Sequence, residues 1–428
     1  MERFFGLAEQ GTSVSREVAA GLATFLTMAY ILVVNPQILA AAGIDHGAAF
    51  VATCLAAAIG SVLMGLIANL PIALAPGMGI NAYFAFVVVG AMGVSWQAAL
   101  GAVFVSGMIF FAVSVSRVRE WLIDGIPLSL KLGIAAGIGM FLGLIGLKNL
   151  GLVVAHPATL VGMGNIASAP VIIGSLGFVL MAALSARRVP GAIIIGILVT
   201  AAAGIPFGLT TFQGFVATPP SLAPTFLQLD IAAVFNIGML GVVFTFFLVD
   251  LLDNAGTLIG TTHRAGLMRP DGSVPRLGRA LLADSGGAMI GAALGTSTTV
   301  SYIESAAGIQ QGGRTGLTAI AVGGFFLVAL FAAPLAASVP EYATAPALIF
   351  VACLMAQALK GVHWDDETEY LPAMITVFAM PFTFSITTGI GLGFLAYVGV
   401  KTLAGRAREV HGAVWVLAAL CAVKFALI

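Results

Sequence analysis

Long apolar runs, punctuated by Gly, Pro and isolated charges, follow one another from the start of the chain to its end. A helix needs about 20 apolar residues to cross a bilayer, and fewer when it is buried among neighbours. On that length rule the first half predicts spans over 17–41, 47–69, 74–91, 97–116, 127–147, 170–185 and 189–205. The second half predicts spans over 231–254, 278–295, 298–312, 315–338, 342–360, 369–384 and 386–403. A further apolar stretch, 411–428, carries Lys424 and reads either as a short extra span or as a helix lying at the interface. The predicted fold class is an all-α polytopic membrane protein with 14 transmembrane segments.

Composition agrees and narrows the function. Of 428 residues, 60% are hydrophobic and only 8% are charged, against about 25% charged in a soluble domain. Too little polar surface exists to clothe a water-soluble globule of this size. The net charge of +0, with no basic stripe, excludes nucleic acid as a partner. Cys54, Cys353 and Cys421 lie in apolar runs without CxxC or His spacing and read as small buried hydrophobes. The five histidines are scattered and no HExxH occurs, so neither a metal site nor another cofactor is expected. The start of the chain is polar and mixed, and the first apolar run is too long for a signal h-region, so no cleavable signal is expected.

The basic residues orient the spans, because cytoplasmic loops are enriched in Lys and Arg. With the N-terminus in the cytoplasm, the inward side receives Arg3, Arg16, Arg117, Arg119, Lys131, Arg187, Arg188, Arg264, Arg269, Arg276, Arg279, Arg314, Lys360, Lys401, Arg406 and Arg408. Only Lys148 and Lys424 fall elsewhere, and the outward loop 206–230 has no Lys or Arg. Seven spans followed by seven place the second half in the opposite orientation to the first, an inverted-repeat plan common among transporters. The third span is interrupted in LPIALAPGMGINAYF, and the tenth, GTSTTVSYIESAAG, is polar and β-branched at its start. Both predict a short extended stretch feeding a half-helix, and such paired interruptions point to a transport site near the midplane.

Four acids fall within predicted spans: Asp250, Asp253, Asp284 and Glu304. A charge at the membrane centre is costly, so such groups mark a substrate or ion path. Asp250 and Asp253 are three apart and share a helix face. Asp284, near the inner end of its span and close to Arg279, is expected to be structural. Glu304 is expected at the start of its half-helix, where free N–H groups favour its charge and burial opposes it. That balance suits a carboxylate that binds a neutral ligand and exchanges a proton. Asn81, beginning the opposing half-helix, offers an amide donor and acceptor, or else caps the break. Tyr83, Phe84 and Tyr302 are candidates to stack on a ring, with packing as the alternative. No Lys or Arg lies in the interrupted segments or near Asp250, so acceptors dominate and the ligand should offer N–H donors. An anion carrier of the same architecture would need basic groups there. An intramembrane enzyme would need a nucleophile–base pair or metal ligands, and no P-loop supports ATP-driven pumping.

Four stretches carry a resemblance: GTSVSREVAAGLATFLTMAYILVVNP (11–36), LAPGMGINAYFAF (74–86), LVDLLDNAGTLIG (248–260) and GTSTTVSYIESAAGIQQGGRTGLTA (295–319). In these the chain closely resembles the AzgA-like adenine/guanine/hypoxanthine permeases of the nucleobase:cation symporter-2 family. The resemblance implies a 7+7 inverted repeat with a core domain (17–116 and 231–338) and a gate domain (127–205 and 342–403), while the tail 404–428 departs from that plan. It implies purine-binding roles for Asn81, Asp250 and Glu304, and coupling or supporting roles for Asp253, Thr298 and Ser305. In uracil and xanthine relatives a glutamate takes the place of Asp250. A multi-pass protein of the cell membrane, importing purine nucleobases by proton symport with alternating access, is the resulting expectation, with sodium as the rival coupling ion and a homodimer as the favoured assembly.

Overall fold

A computed structural model describes residues 2–116, 121, 125–157, 159–264 and 276–426. Arg117, Arg119 and Arg269, three of the residues used to orient the spans, lie outside the described residues, as do the last two of the tail. In chain order the principal helices are α1 (Val14–Met28), α2 (Ile31–Ala41), α3 (His46–Leu63), α4 (Met78–Ala82) and α5 (Trp96–Val115). They continue with α6 (Leu128–Leu150), α7 (Ala169–Ala186), α8 (Ala192–Ala203), α9 (Ile237–Arg264), α10 (Leu277–Leu294) and α11 (Ser305–Gln310). The last are α12 (Gly316–Ala329), α13 (Glu341–Ala356), α14 (Glu367–Phe382), α15 (Ile386–Leu403) and α16 (Gly412–Ala426). Among the described residues, eight helical stretches are long and apolar enough to cross a membrane.

The first predicted span is two helices rather than one. Ala29 and Tyr30 form the turn between α1 and α2. Pro36 then stands inside α2, where it has no N–H to give the carbonyl one turn back. The chain separates by its packing into two units, Met1–Val115 with Ile166–Ala347, and Ser116–Asn165 with Leu348–Ile428. Residues 170–205, grouped with the gate on sequence, fall in the first unit.

The first unit is organised around two short strands. β1 (Leu74–Pro76) lies between α3 and α4, and β4 (Thr299–Ser301) precedes α11. They pair antiparallel, with Leu74 opposite Ser301, Ala75 opposite Val300 and Pro76 opposite Thr299. Extended backbone inside an apolar body must find partners for every N–H and C=O. Here the two interrupted segments satisfy each other, and the ladder is lengthened by Gly77 N–H to the Thr298 carbonyl (2.9 Å) and Tyr302 N–H to the Ala73 carbonyl (3.0 Å). Side chains close the remaining edges. The Ser61 hydroxyl accepts from Leu74 N–H and donates to its carbonyl, both at 3.0 Å. Ser305 Oγ accepts from Ala73 N–H at 3.0 Å, and Asn254 Oδ1 accepts from Ser301 N–H at 2.8 Å. Gly295, at φ +96°, ends α10 and turns the chain into β4, a conformation that disfavours a residue with a Cβ.

The second unit contains a hairpin that the sequence reading did not include. β2 (Val153–His156) pairs antiparallel with β3 (Leu160–Met163), and its residues are largely exposed. Lys401, placed on sequence among the inward basic residues, is buried. Its ammonium lies 2.9 Å from both Glu369 and Glu409, and Tyr397 Oη donates to Glu369 Oε1 at 3.0 Å. The Ser129 hydroxyl donates to the other Glu369 oxygen. Arg406 extends this network, 2.8 Å from Asp366 and 2.7 Å from Glu409. Helix α16 packs along α15, with Cys421 and Phe425 beside Gly391.

Candidate functional site

Asp250, Asn254, Thr257 and Thr261 recur every three or four residues along α9, so they form one polar stripe on a helix whose first half is apolar. All four are buried. The stripe meets β4 and the residues leading into it. Thr298 Oγ1 donates to Asp250 Oδ2 at 2.8 Å, and Asn254 receives the Ser301 N–H. From the neighbouring helix α10, Asp284 accepts from the Ser301 hydroxyl at 2.8 and 3.1 Å. Asp284 is therefore part of the same polar cluster, held by a hydroxyl rather than by Arg279. Asp253 is half-buried on the flank of the stripe.

The two half-helices bring in the other residues. Glu304 stands at the start of α11, and its Oε1 accepts from the Tyr30 hydroxyl at 2.9 Å. Asn81 lies within α4, and both ends of its amide have protein partners: Nδ2 donates to Asn35 Oδ1, and Oδ1 accepts from the Ser297 hydroxyl. Asn35 in turn donates through Nδ2 to Thr53 Oγ1 (2.8 Å) and Thr296 Oγ1 (3.1 Å). Asn81, Asp250 and Glu304 are thus joined to the same pair of strands or its flanks, all in the first unit. Thr298 supports Asp250, whereas Ser305 is spent on the backbone of Ala73.

The aromatic residues are closely held. Phe84 is fully buried, and Tyr302 anchors its hydroxyl on the Pro76 carbonyl at 2.5 Å. Tyr83 meets Phe246 edge-on, with ring centroids 5.3 Å apart. Immediately after Asn81 the helix widens into a π-helical stretch, Tyr83–Ala91, a distortion that recurs near functional sites.

Among the described residues, three buried atoms of α9 and β4 have no protein partner: Asp250 Oδ1, an acceptor, Asn254 Nδ2, a donor, and the Thr299 hydroxyl. The two on α9 sit one helical turn apart. Among the described residues, none of the four acids has a Lys or Arg within ion-pairing distance, and no cluster suited to a metal ion is found. The cluster is acceptor-rich and uncompensated by positive charge, which suits a neutral ligand bearing N–H groups. Sequence reasoning passed over Tyr30, Asn35, Thr53, Asn254, Ser297 and Ser301. Two of these carried a visible signal: Asn35 as a lone amide in an apolar run, and Asn254 by its place four residues after Asp250.

The Permease family model (Xan_ur_permease) matches residues 15–392. The chain is similar to the adenine permease AdeP of Escherichia coli (strain K12), 50% identical over 100% of this chain and 96% of AdeP. It is similar to the guanine/hypoxanthine permease PbuG of Bacillus subtilis (strain 168), 47% identical over 96% of each. In fold it resembles the transmembrane domain of the cyanobacterial bicarbonate transporter BicA, with a TM-score of 0.65 at 15% identity, covering 86% of this chain and 96% of that domain. The chain belongs to the permease family, in the AzgA-like branch its motifs pointed to, and is an integral membrane transport protein rather than an enzyme.

Proposed function

We propose that this permease imports purine nucleobases of the adenine, guanine and hypoxanthine type by proton symport, exposing one buried site to each side of the membrane in turn. The observation that carries this reading is the unpartnered pair on α9, Asp250 Oδ1 and Asn254 Nδ2, in a cluster without basic side chains. A purine edge presents an N–H donor beside an acceptor, and an acid and an amide one turn apart match that pattern. Thr298 holds one Asp250 oxygen and leaves the other to accept from the base, with the added strength of a charged acceptor. Glu304, one oxygen held by Tyr30, offers its other oxygen in the same way. Asn81 retains one N–H and one lone pair for the ligand after its two protein bonds. Stacking on Phe84 or Tyr302, and coupling through Asp253, complete the proposed site. An anion such as bicarbonate would face the carboxylates of Asp250 and Glu304 with no Lys or Arg to balance it, and the likeness to BicA extends to fold alone.

The reading includes fourteen spans in a 7+7 inverted repeat, a core (17–116 and 231–338) moving against a gate (127–205 and 342–403), a cytoplasmic N-terminus in the cell membrane, and a homodimer. Relatives named as adenine and guanine/hypoxanthine permeases support the substrate class. The test is uptake of radiolabelled hypoxanthine by protein reconstituted in liposomes, with adenine, guanine, xanthine and uracil as competitors. Competition by purines but not by uracil is expected, with the base recovered unmodified. Uptake should rise as external pH falls from about 8 to about 6 and collapse with a protonophore, because the embedded ionisable groups are carboxylates. Accumulation that follows a sodium gradient at fixed pH would overturn the coupling.

A further inference from the structure

We propose that a directional hydrogen-bond chain running from Ala49 through Thr53 and Asn35 fixes which way the Asn81 amide faces, and that this orientation selects between 6-amino and 6-oxo purines. The inference rests on the purine reading above. The Ala49 carbonyl only accepts, so the Thr53 hydroxyl, 2.6 Å away, gives its single proton to it. The Thr53 oxygen then has lone pairs alone to offer and accepts from Asn35 at 2.8 Å. That places the Asn35 NH₂ toward Thr53, with its second hydrogen toward Thr296 at 3.1 Å. The Asn35 carbonyl is thereby turned to Asn81, whose own NH₂ faces it, and the Asn81 carbonyl is left to face the Ser297 hydroxyl. Reversing either amide would set oxygen against oxygen or N–H against N–H. Asn35, Thr53, Asn81, Thr296 and Ser297 are all fully buried, so bulk water offers no substitute partner.

The polarity of one backbone carbonyl is thus transmitted to a side chain placed to read the ligand. Adenine carries an amino donor at C6 beside an acceptor at N1. Hypoxanthine and guanine carry a carbonyl acceptor at C6 beside an N–H at N1. An amide held one way matches one of these edges and opposes the other, whereas an amide free to turn serves both. Thr53 is a positioning residue in this scheme, separated from the ligand by Asn35 and Asn81.

The test is equilibrium binding of radiolabelled adenine and hypoxanthine to purified wild-type protein, Thr53→Val and Thr53→Ser. Wild type is expected to favour one base by about tenfold or more, as a site built to hydrogen-bond one polar edge does. Thr53→Val keeps the shape and removes the hydroxyl, which frees Asn35 and so Asn81 to turn. The ratio should fall to within about threefold through a gain of affinity for the disfavoured base. Thr53→Ser should keep the wild-type ratio. A general packing defect does not tighten binding of one base selectively. An unchanged ratio in Thr53→Val, or a wild type without preference, overturns the inference. Wild type that binds neither base refutes the purine reading itself, and the inference falls with it. Should Thr53→Val not yield monodisperse protein, Asn35→Ala cuts the same chain at the residue that faces Asn81 and carries the same expectation.

Discussion

Tyr30 and Glu304, 274 residues apart in sequence, meet through a hydrogen bond of 2.9 Å in which the tyrosine hydroxyl donates to Oε1 of the acid. Tyr30 reaches Glu304 because it stands in the turn between α1 and α2. Five residues further on, or about 7.5 Å along a helix axis, Asn35 reaches Asn81 on the other half-helix. The first span therefore holds one proposed ligand contact on each of the two interrupted segments.

Removing the Tyr30 hydroxyl should weaken substrate binding more than turnover. A hydrogen bond to a charged group contributes about 1.5–3 kcal/mol, so Tyr30→Phe is expected to raise KM for uptake on the order of tenfold. Vmax should stay near wild type. Uptake kinetics across a range of hypoxanthine concentrations decide it, and an unchanged KM would remove Tyr30 from the site.

Asp250→Asn and Glu304→Gln should each abolish or severely reduce uptake while the protein still reaches the membrane. An amide keeps the shape but loses the charged acceptor, and its NH₂ turns a donor toward the donor of the base. The expected loss of affinity is roughly tenfold to a hundredfold. Transport assays paired with quantification of membrane protein check this, and near-normal uptake in either variant argues against the assignment.

Lys401 depends on its carboxylates. Breaking a buried ion pair by removing one partner typically costs about 3–5 kcal/mol, because the other charge is left buried. Glu369→Gln should therefore lower the thermal unfolding midpoint, by less than that full cost because Glu409 still faces the ammonium at 2.9 Å, whereas Lys401→Met with Glu369→Gln should recover part of the loss. Two equal midpoints would show that the pair contributes little.

Acid sensitivity should trace partly to the same network. Arg406, and then Lys401, hold the Glu409 carboxyl down to about 2 from its ordinary 4.5, and the Thr368 hydroxyl and Arg406 hold Asp366 well below the usual carboxylate range. A depressed folded-state value means stability that is present above pH 4.5 and lost as pH falls through about 2. Thermal unfolding of Glu409→Gln should show a lower midpoint than wild type at neutral pH and a shallower decline on acidification, the two converging as pH falls toward about 2.

Helix α16 runs antiparallel to α15, since it begins after the end of α15 and brings Cys421 and Phe425 back beside Gly391. Its 15 residues cover about 22 Å, most of a bilayer core. With the N-terminus in the cytoplasm, a C-terminal alkaline phosphatase fusion should be active and a fluorescent-protein fusion dark. The reverse pattern would place this helix at the inner interface.

The linear sequence determined the membrane class, the approximate position of the helices and the identity of the polar residues within them. Those properties are local: the length of an apolar run settles whether a helix can cross, and a carboxylate such as Asp250 inside that run needs a reason to be there. The interruptions at 74–86 and 295–308 were legible for the same reason, since proline, glycine and β-branched polar residues break a helix wherever they cluster. What each polar group faces was decided by the tertiary structure. Asn35 finds Thr296 across 261 residues, and Ser301 finds Asp284 by the packing of β4 against α10. No spacing rule links such partners. They are joined because leaving a buried donor or acceptor unpaired is costly once the apolar helices exclude water, and that pairing exists only after the helices have packed.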